Sequence, residues 1–335
     1  MVSGNLGIVP TDSNVIHPPS VSEPGARTTA TTPTIAARLA ALVPTAAVVA
    51  TALMWASSFV IVRWAAPVFA PESLALLRLL AGTAALTVLV LWLRRGRLRL
   101  PGVRATALAA GYGVLWFALY TVALNAAGHW LDAGTISLVI NLAPLMIAAG
   151  AWAFLGEGFP RRLLIGMAVS LAGVGIISIA GGIGELAVVG LLIAFLAAVL
   201  YAAGMLLQKV TLRHTDPLTA TWLACTAGAL SLVPFTPAAV ADLQSAPTGA
   251  IVAAFYMGIG PTALGFWFWG YAMNHFPTGR VAAASLAIPT VVVAMSAITL
   301  QEVPPALVLG GGLLCLTGVG IAQWRTRASG DRRSR

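Results

Sequence analysis

Reactive side chains are sparse in this chain. Of 335 residues, 9% are charged and 59% hydrophobic, so few groups are available for chemistry of any kind. Metal-assisted hydrolysis needs ligands at set spacings, yet no HExxH occurs, and His129 and His275 stand at the ends of apolar runs without partners at ligand spacing. ATP-driven work needs a GxxxxGK[ST] loop, which is also absent, and no carboxylates pair within an apolar run. These residue types argue against an enzyme and imply neither cofactor nor metal. The remaining chemistry is recognition of a solute.

Two kinds of side chain suit that task. Ser137 and Asn141 lie four residues apart, on one face of a helix and one turn before Pro144, and Ser285 lies close to Pro289. Polar groups inside long apolar runs must bond either another helix or a solute. Ser57 and Ser58 are weaker candidates, because serine readily bonds its own preceding turn. Trp55, Trp116, Tyr120, Tyr201 and Trp267 sit deep in their runs, where they serve either as core packing or as the wall of an apolar-aromatic pocket.

Other residues bear on movement. Pro144 and Pro289 each remove a backbone hydrogen bond in mid-run and predict helix kinks around a central space. Glu157 and Glu302 end their runs, as termini that orient the following turn or as candidate coupling and gating groups. Arg78, about two turns inside its run, either snorkels to the surface or faces an anionic solute.

The elements that must position these groups are membrane helices. So little polar surface cannot clothe a soluble globule, which makes lipid the solvent. The net charge of +9 comes from short clusters between apolar runs, so it reads as topology and not as nucleic-acid binding. Cys225 and Cys315 lie within apolar runs and behave as small hydrophobes. Apolar runs at 44–64, 73–93, 104–124, 131–154, 162–181, 186–207, 217–237, 248–271, 279–300 and 305–324 predict ten transmembrane helices, each near the ~20 residues a bilayer requires. Residues 1–43 are expected to be a disordered cytoplasmic tail without a secretory signal, and 325–335 a basic cytoplasmic tail. With both termini inside, the arginine clusters at 94–104, 161–162 and 325–335, together with Lys209, Arg213 and Arg280, all fall on the cytoplasmic side. Arg63 alone breaks the pattern.

The chain also repeats itself. Ala133 to Glu157 is echoed 145 residues later by Thr278 to Glu302, and LAGVGI at Leu171 to Ile176 by LTGVGI at Leu316 to Ile321. At an offset of 146, Trp55 meets Tyr201, Arg63 meets Lys209, Pro71 meets Pro217 and Gly82 meets Gly228. Two five-helix repeats result, at 44–181 and 186–324, and an odd number of spans inverts the second relative to the first. The small-residue stripes Gly166, Ser170, Gly173 and Gly311, Cys315, Gly318 read as close-packed scaffold.

In this order, twice, these motifs resemble the drug/metabolite transporter superfamily, EamA type. Arg78 after Pro71, the proline and closing glutamate of spans 4 and 9, and the G-V-G close of spans 5 and 10 carry the resemblance over about residues 44–324. The second half departs from it with Ala224 where the first has Arg78. The resemblance implies a multi-pass protein of the bacterial cytoplasmic membrane that exports amino acids or related metabolites by alternating access, with drugs as the neighbouring substrate class. A receptor or lipid scramblase is the remaining alternative, and oligomeric state is not legible. The expected partners are a small-molecule substrate and membrane lipids. All ten acidic residues and all four histidines fall in tails, loops or span ends, which predicts facilitated flow or exchange in place of proton coupling.

Overall fold

In a computed structural model, residues 35–96, 100–155, 161–180, 185–276 and 285–323 are described, and every element among them is helical. The described residues from 41 onward form one compact unit. Both expected tails fall largely outside the described residues, as does Glu157.

The first half comprises α1 (Ile35–Ala65), α2 (Pro71–Leu93), α3 (Val103–Tyr112), α4 (Thr121–Ala127), α5 (Ala133–Ile140), α6 (Ala143–Leu155) and α7 (Arg161–Ala180). In the second lie α8 (Glu185–Thr211), α9 (Pro217–Ser231), α10 (Thr236–Ser245), α11 (Thr248–Met257), α12 (Gly265–His275), α13 (Ile288–Thr299) and α14 (Ala306–Gln323). A π-helical turn, Gly113–Tyr120, joins α3 to α4, and another, Gly258–Leu264, joins α11 to α12.

Six segments are long and apolar enough to cross a bilayer: Leu42–Ala65, Pro71–Leu93, Val103–Ala127, Ala133–Phe154, Val188–Thr211 and Thr248–Ala272. A seventh counts if Pro217–Ser231 and Val233–Ser245, bent by 47°, form one span. The expected ten are therefore met only in part, with α7, α13 and α14 presenting shorter apolar stretches. Large apolar side chains stand exposed on the outside, among them Trp92 at 70% and Phe154 at 82%, as a lipid-facing surface demands.

The two prolines do more than kink. Asn141 and Leu142 form a turn between α5 and α6, so Pro144 occupies the first turn of a new helix, where its missing N–H costs nothing. Leu286 and Ala287 likewise form a turn before α13, with Pro289 in its first turn. Each continuous helix expected from the sequence is thus interrupted.

The same joint is built in both halves. Gly113, which opens the first π-helical turn, lies so close to α9 that a Cβ there would collide with the Ala224 carbonyl; Gly258 opens the second, and a Cβ there would collide with the Arg78 carbonyl of α2. On the facing helices, a Cβ at Gly228 would stand 2.8 Å from Phe117 Cβ, and one at Gly82 would stand 3.2 Å from Thr262 Cγ2. Ala224 and Gly228 are the repeat counterparts of Arg78 and Gly82, as Phe117 is of Thr262. Elsewhere α7 packs along α14, where Ser170 Oγ donates to the Cys315 carbonyl at 2.9 Å and Gly173 faces Gly311. That pairing is the small-residue scaffold.

Candidate functional site

A cavity of about 130 Å³ lies where elements of both halves converge. From the first half, α1 contributes Trp55, Ser58 and Phe59, α2 contributes Arg78, and the π-helical turn contributes Trp116, Phe117 and Tyr120. Asn141 and Pro144 enter at the α5–α6 interruption. Tyr201 of α8, Phe266 of α12, Ser285 just before the turn into α13, and Ile288 at the start of α13 complete the wall from the second half.

The aromatic wall is fixed by edge-on packing. Trp116 meets Tyr201 with ring centroids 5.4 Å apart at 86° and Phe266 at 5.0 Å and 84°, while Tyr120 meets Tyr201 at 5.4 Å. Gly204 of α8 makes room for Trp116, whose Cβ would stand 2.7 Å from a Cβ at that glycine.

The polar side is held by a chain that starts in the second π-helical turn. Thr262 Oγ1 donates to the Met257 carbonyl, five residues back, at 2.9 Å. With its proton committed, that oxygen accepts from Arg78 Nε at 3.1 Å. Pro261's own carbonyl accepts from Trp55 Nε1 at 3.0 Å. One interrupted turn thereby positions both an arginine and a tryptophan at the cavity. Among the described residues, Arg78 Nη1 is buried without a hydrogen-bond partner and no Asp or Glu lines the cavity.

Other sequence candidates are placed differently. Ser137 is fully buried and donates to the Gly134 carbonyl at 2.7 Å, so it does not line the cavity; its carbonyl accepts from Asn141 Nδ2 at 2.9 Å. The two residues keep their one-turn spacing, but of the pair only Asn141 lines the cavity. Trp267 is 37% exposed and stacks on Phe268 at 5.5 Å, away from the lining. Pro289 is buried outside the lining. Ser57 bonds the Met54 carbonyl at 2.8 Å in its preceding turn, whereas Ser58 Oγ is buried, unpartnered and part of the wall.

Glu302 pairs with Arg63 at 2.9 Å at one end of α1. His129, beside it, is held below the ordinary histidine pKa by burial and then by the Arg63 charge. At the far end of α2, Arg94 Nη2 donates to Asp216 Oδ2 at 2.6 Å. Asp216 caps α9 by accepting from Thr219 N at 3.0 Å. Burial alone would raise its pKa, but the bonds from Thr219 and Arg94 outweigh that and hold it below the usual carboxylate value.

Sequence reasoning passed over Phe117, Phe266 and Thr262. The signal for Thr262 was the Pro261 beside it, in the GIGPT run of an otherwise apolar span. Nothing separates Phe266 from its neighbours in GFWFWG.

The arrangement, an apolar-aromatic space with one arginine and a few amide and hydroxyl groups, can hold a small solute and, among the described residues, offers no nucleophile paired with a base. A protein of Streptantibioticus cattleyicolor named as a probable terminal-alkyne amino-acid exporter is 32% identical over 282 residues, covering 84% of this chain and 93% of its own. One from Salmonella typhimurium, named as a probable amino-acid metabolite efflux pump, is 28% identical over 66% of this chain and 77% of its own. A solved crystal structure shares the fold at a TM-score of 0.52 with 20% identity, covering 85% of this chain and 97% of its own. The EamA-like transporter family matches twice, over residues 44–179 and 188–323, and the chain belongs to that family of multi-pass membrane transporters.

Proposed function

We propose that this protein exports a small amphipathic solute, an amino acid or a related metabolite, across the bacterial cytoplasmic membrane by alternating access at the central cavity. The observation that carries the reading is the shared wall: Trp116 and Asn141 from one repeat face Tyr201 and Phe266 from the other. A site made jointly by two repeats changes its access when one repeat rocks against the other. The names of the amino-acid exporters among the relatives support the solute class.

In this reading ten spans cross the membrane as two inverted repeats, with both termini and the 94–104 arginine cluster in the cytoplasm. Transport is facilitated flow or exchange, because the described residues of the cavity wall include no carboxylate or histidine to carry a proton. The test is counterflow: proteoliposomes preloaded with an unlabelled amino acid should take up the labelled form transiently and saturably. An imposed pH gradient alone should produce no accumulation. Clear uphill uptake driven by pH would refute the coupling, and the absence of saturable counterflow for every amino acid would refute the transporter reading.

A further inference from the structure

We propose that Arg78 is the carboxylate anchor of the cavity, so that the solute binds with its carboxylate on the guanidinium and its apolar tail toward Trp116 and Phe117. This rests on the exporter reading above and names the group that reading leaves open.

The first argument is charge. A guanidinium does not lose its proton in a protein, and burying it without an anion is expensive in low dielectric. Arg78 spends Nε on Thr262 Oγ1 at 3.1 Å, and among the described residues its Nη1 is buried without a partner and no acidic side chain lines the space. A bound carboxylate supplies the missing charge and matches the planar donor fork. Ser58 adds a second donor, with a buried and unpartnered hydroxyl in the same wall.

The second argument is orientation. Thr262 is itself fixed by its bond to the Met257 carbonyl, so the arginine is set in place before any solute arrives. Pre-set donors lose little freedom on binding.

The third argument is broken symmetry. The two halves build the same joint, but where α2 and the second π-helical turn present Arg78 and Thr262, α9 and the first present Ala224 and Phe117. One side of the pseudo-symmetric site is therefore cationic and the other apolar. A solute with one charged end and one apolar end fits in a single orientation. A cavity of ~150 Å³ accepts benzene, so about 130 Å³ limits the tail to a short or medium side chain. For an α-amino acid, the ammonium group would rest against the ring faces of the wall.

The experiment is competition for counterflow in proteoliposomes holding the full chain, with labelled L-norvaline, L-leucine and L-phenylalanine as probes. Each unlabelled amino acid is compared as competitor with its own carboxamide, which keeps size, tail and amine but removes the anion. In the wild type the carboxamide should compete about 10- to 100-fold more weakly, as expected for loss of a charge-assisted bond. In Arg78→Gln that preference should collapse to within about twofold, and Arg78→Lys should restore part of it. Equal competition by acid and carboxamide in the wild type overturns the proposal even if no variant folds. An undiminished preference in folded Arg78→Gln does so too. In both cases saturable flux persists and the exporter reading stands. Absence of saturable flux for all three probes overturns both.

Discussion

Arg63 Nε donates to Glu302 Oε1 at 2.9 Å while its Nη1 donates to the Gly128 carbonyl at 3.1 Å, so one arginine joins the ends of helices from both repeats. In the charge pattern Arg63 is the one basic residue on the acidic side of the chain, and this pairing accounts for it. Both side chains keep about a third of their surface exposed, 33% and 28%, so the bond is a modest latch. Glu302→Gln is expected to remove ~0.5–1 kcal/mol from the arrangement in which the two ends are joined and speed counterflow about 2- to 5-fold, with little change in thermal stability. Slower flux together with a large loss of stability would mark the pair as structural support instead.

Gly113→Ala and Gly258→Ala each push a methyl group into a facing carbonyl, that of Ala224 or Arg78. Backbone cannot yield as a side-chain tip can, so each should cost ~1–3 kcal/mol, read as a lower unfolding temperature in detergent. Gly175→Ala, where nothing lies nearby, should be neutral. A neutral result at both joint glycines would show that the helices separate freely there.

Trp116→Ala and Trp267→Ala should behave oppositely. Trp116 is nearly buried in the cavity wall, whereas Trp267 is 37% exposed outside it. Counterflow per folded molecule should fall at least about tenfold for the first and stay within about twofold for the second. Equal losses would mean that the outer tryptophan also reaches the transport path.

The charge bias predicts that Arg104→Cys faces the cytoplasm and Gln244→Cys the exterior. Native Cys225 and Cys315 are both buried, so they add little background. An impermeant maleimide applied to intact cells should label position 244 and spare 104. The reverse labelling would invert the topology.

Asp216 makes a pH prediction whose sign follows from its lowered pKa. A carboxylate held below its ordinary value of 3.8 contributes stability that is fully present above that value and is lost as pH falls through the lowered one. Asp216→Ala also removes the α9 cap, a cost of ~1 kcal/mol at pH 7. The gap in unfolding temperature between variant and wild type should therefore narrow below pH 3.8. A gap independent of pH would leave only the uncharged part of the cap.

The duplication was legible because its marks are small and chemically distinctive: a proline, a glycine or a G-V-G recurs at an offset of 145 or 146 whatever the lipid-facing residues do. Individual facing directions were not. In a helix surrounded by lipid, apolar residues occupy every side, so Trp267 on the outside and Phe266 on the inside look alike in sequence. Ser137 and Asn141 lie one helical turn apart, with Asn141 N and Nδ2 both donating to the Ser137 carbonyl, yet only Asn141 reaches the cavity because Ser137 is fully buried in its own helix. Arg63 gave no hint of its partner, which lies 239 residues away. Ser57 and Ser58 differ only in which way α1 turns them.

The π-helical turns at Gly113–Tyr120 and Gly258–Leu264 also act as phase shifters. Such a turn carries one residue more than an α-helix allots to the same hydrogen-bonded loop, so the extra residue is absorbed locally. Thr121 and Leu124 therefore reach the cavity wall one position later in the sequence than an uninterrupted α-helix would place them. Closing the segment to an ordinary α-helix with every residue retained would swing them by about 100° from that wall, whereas deleting one residue as the helix closes would keep them there. The angular setting of α4 against α3 is thus written into residue count and not into residue type.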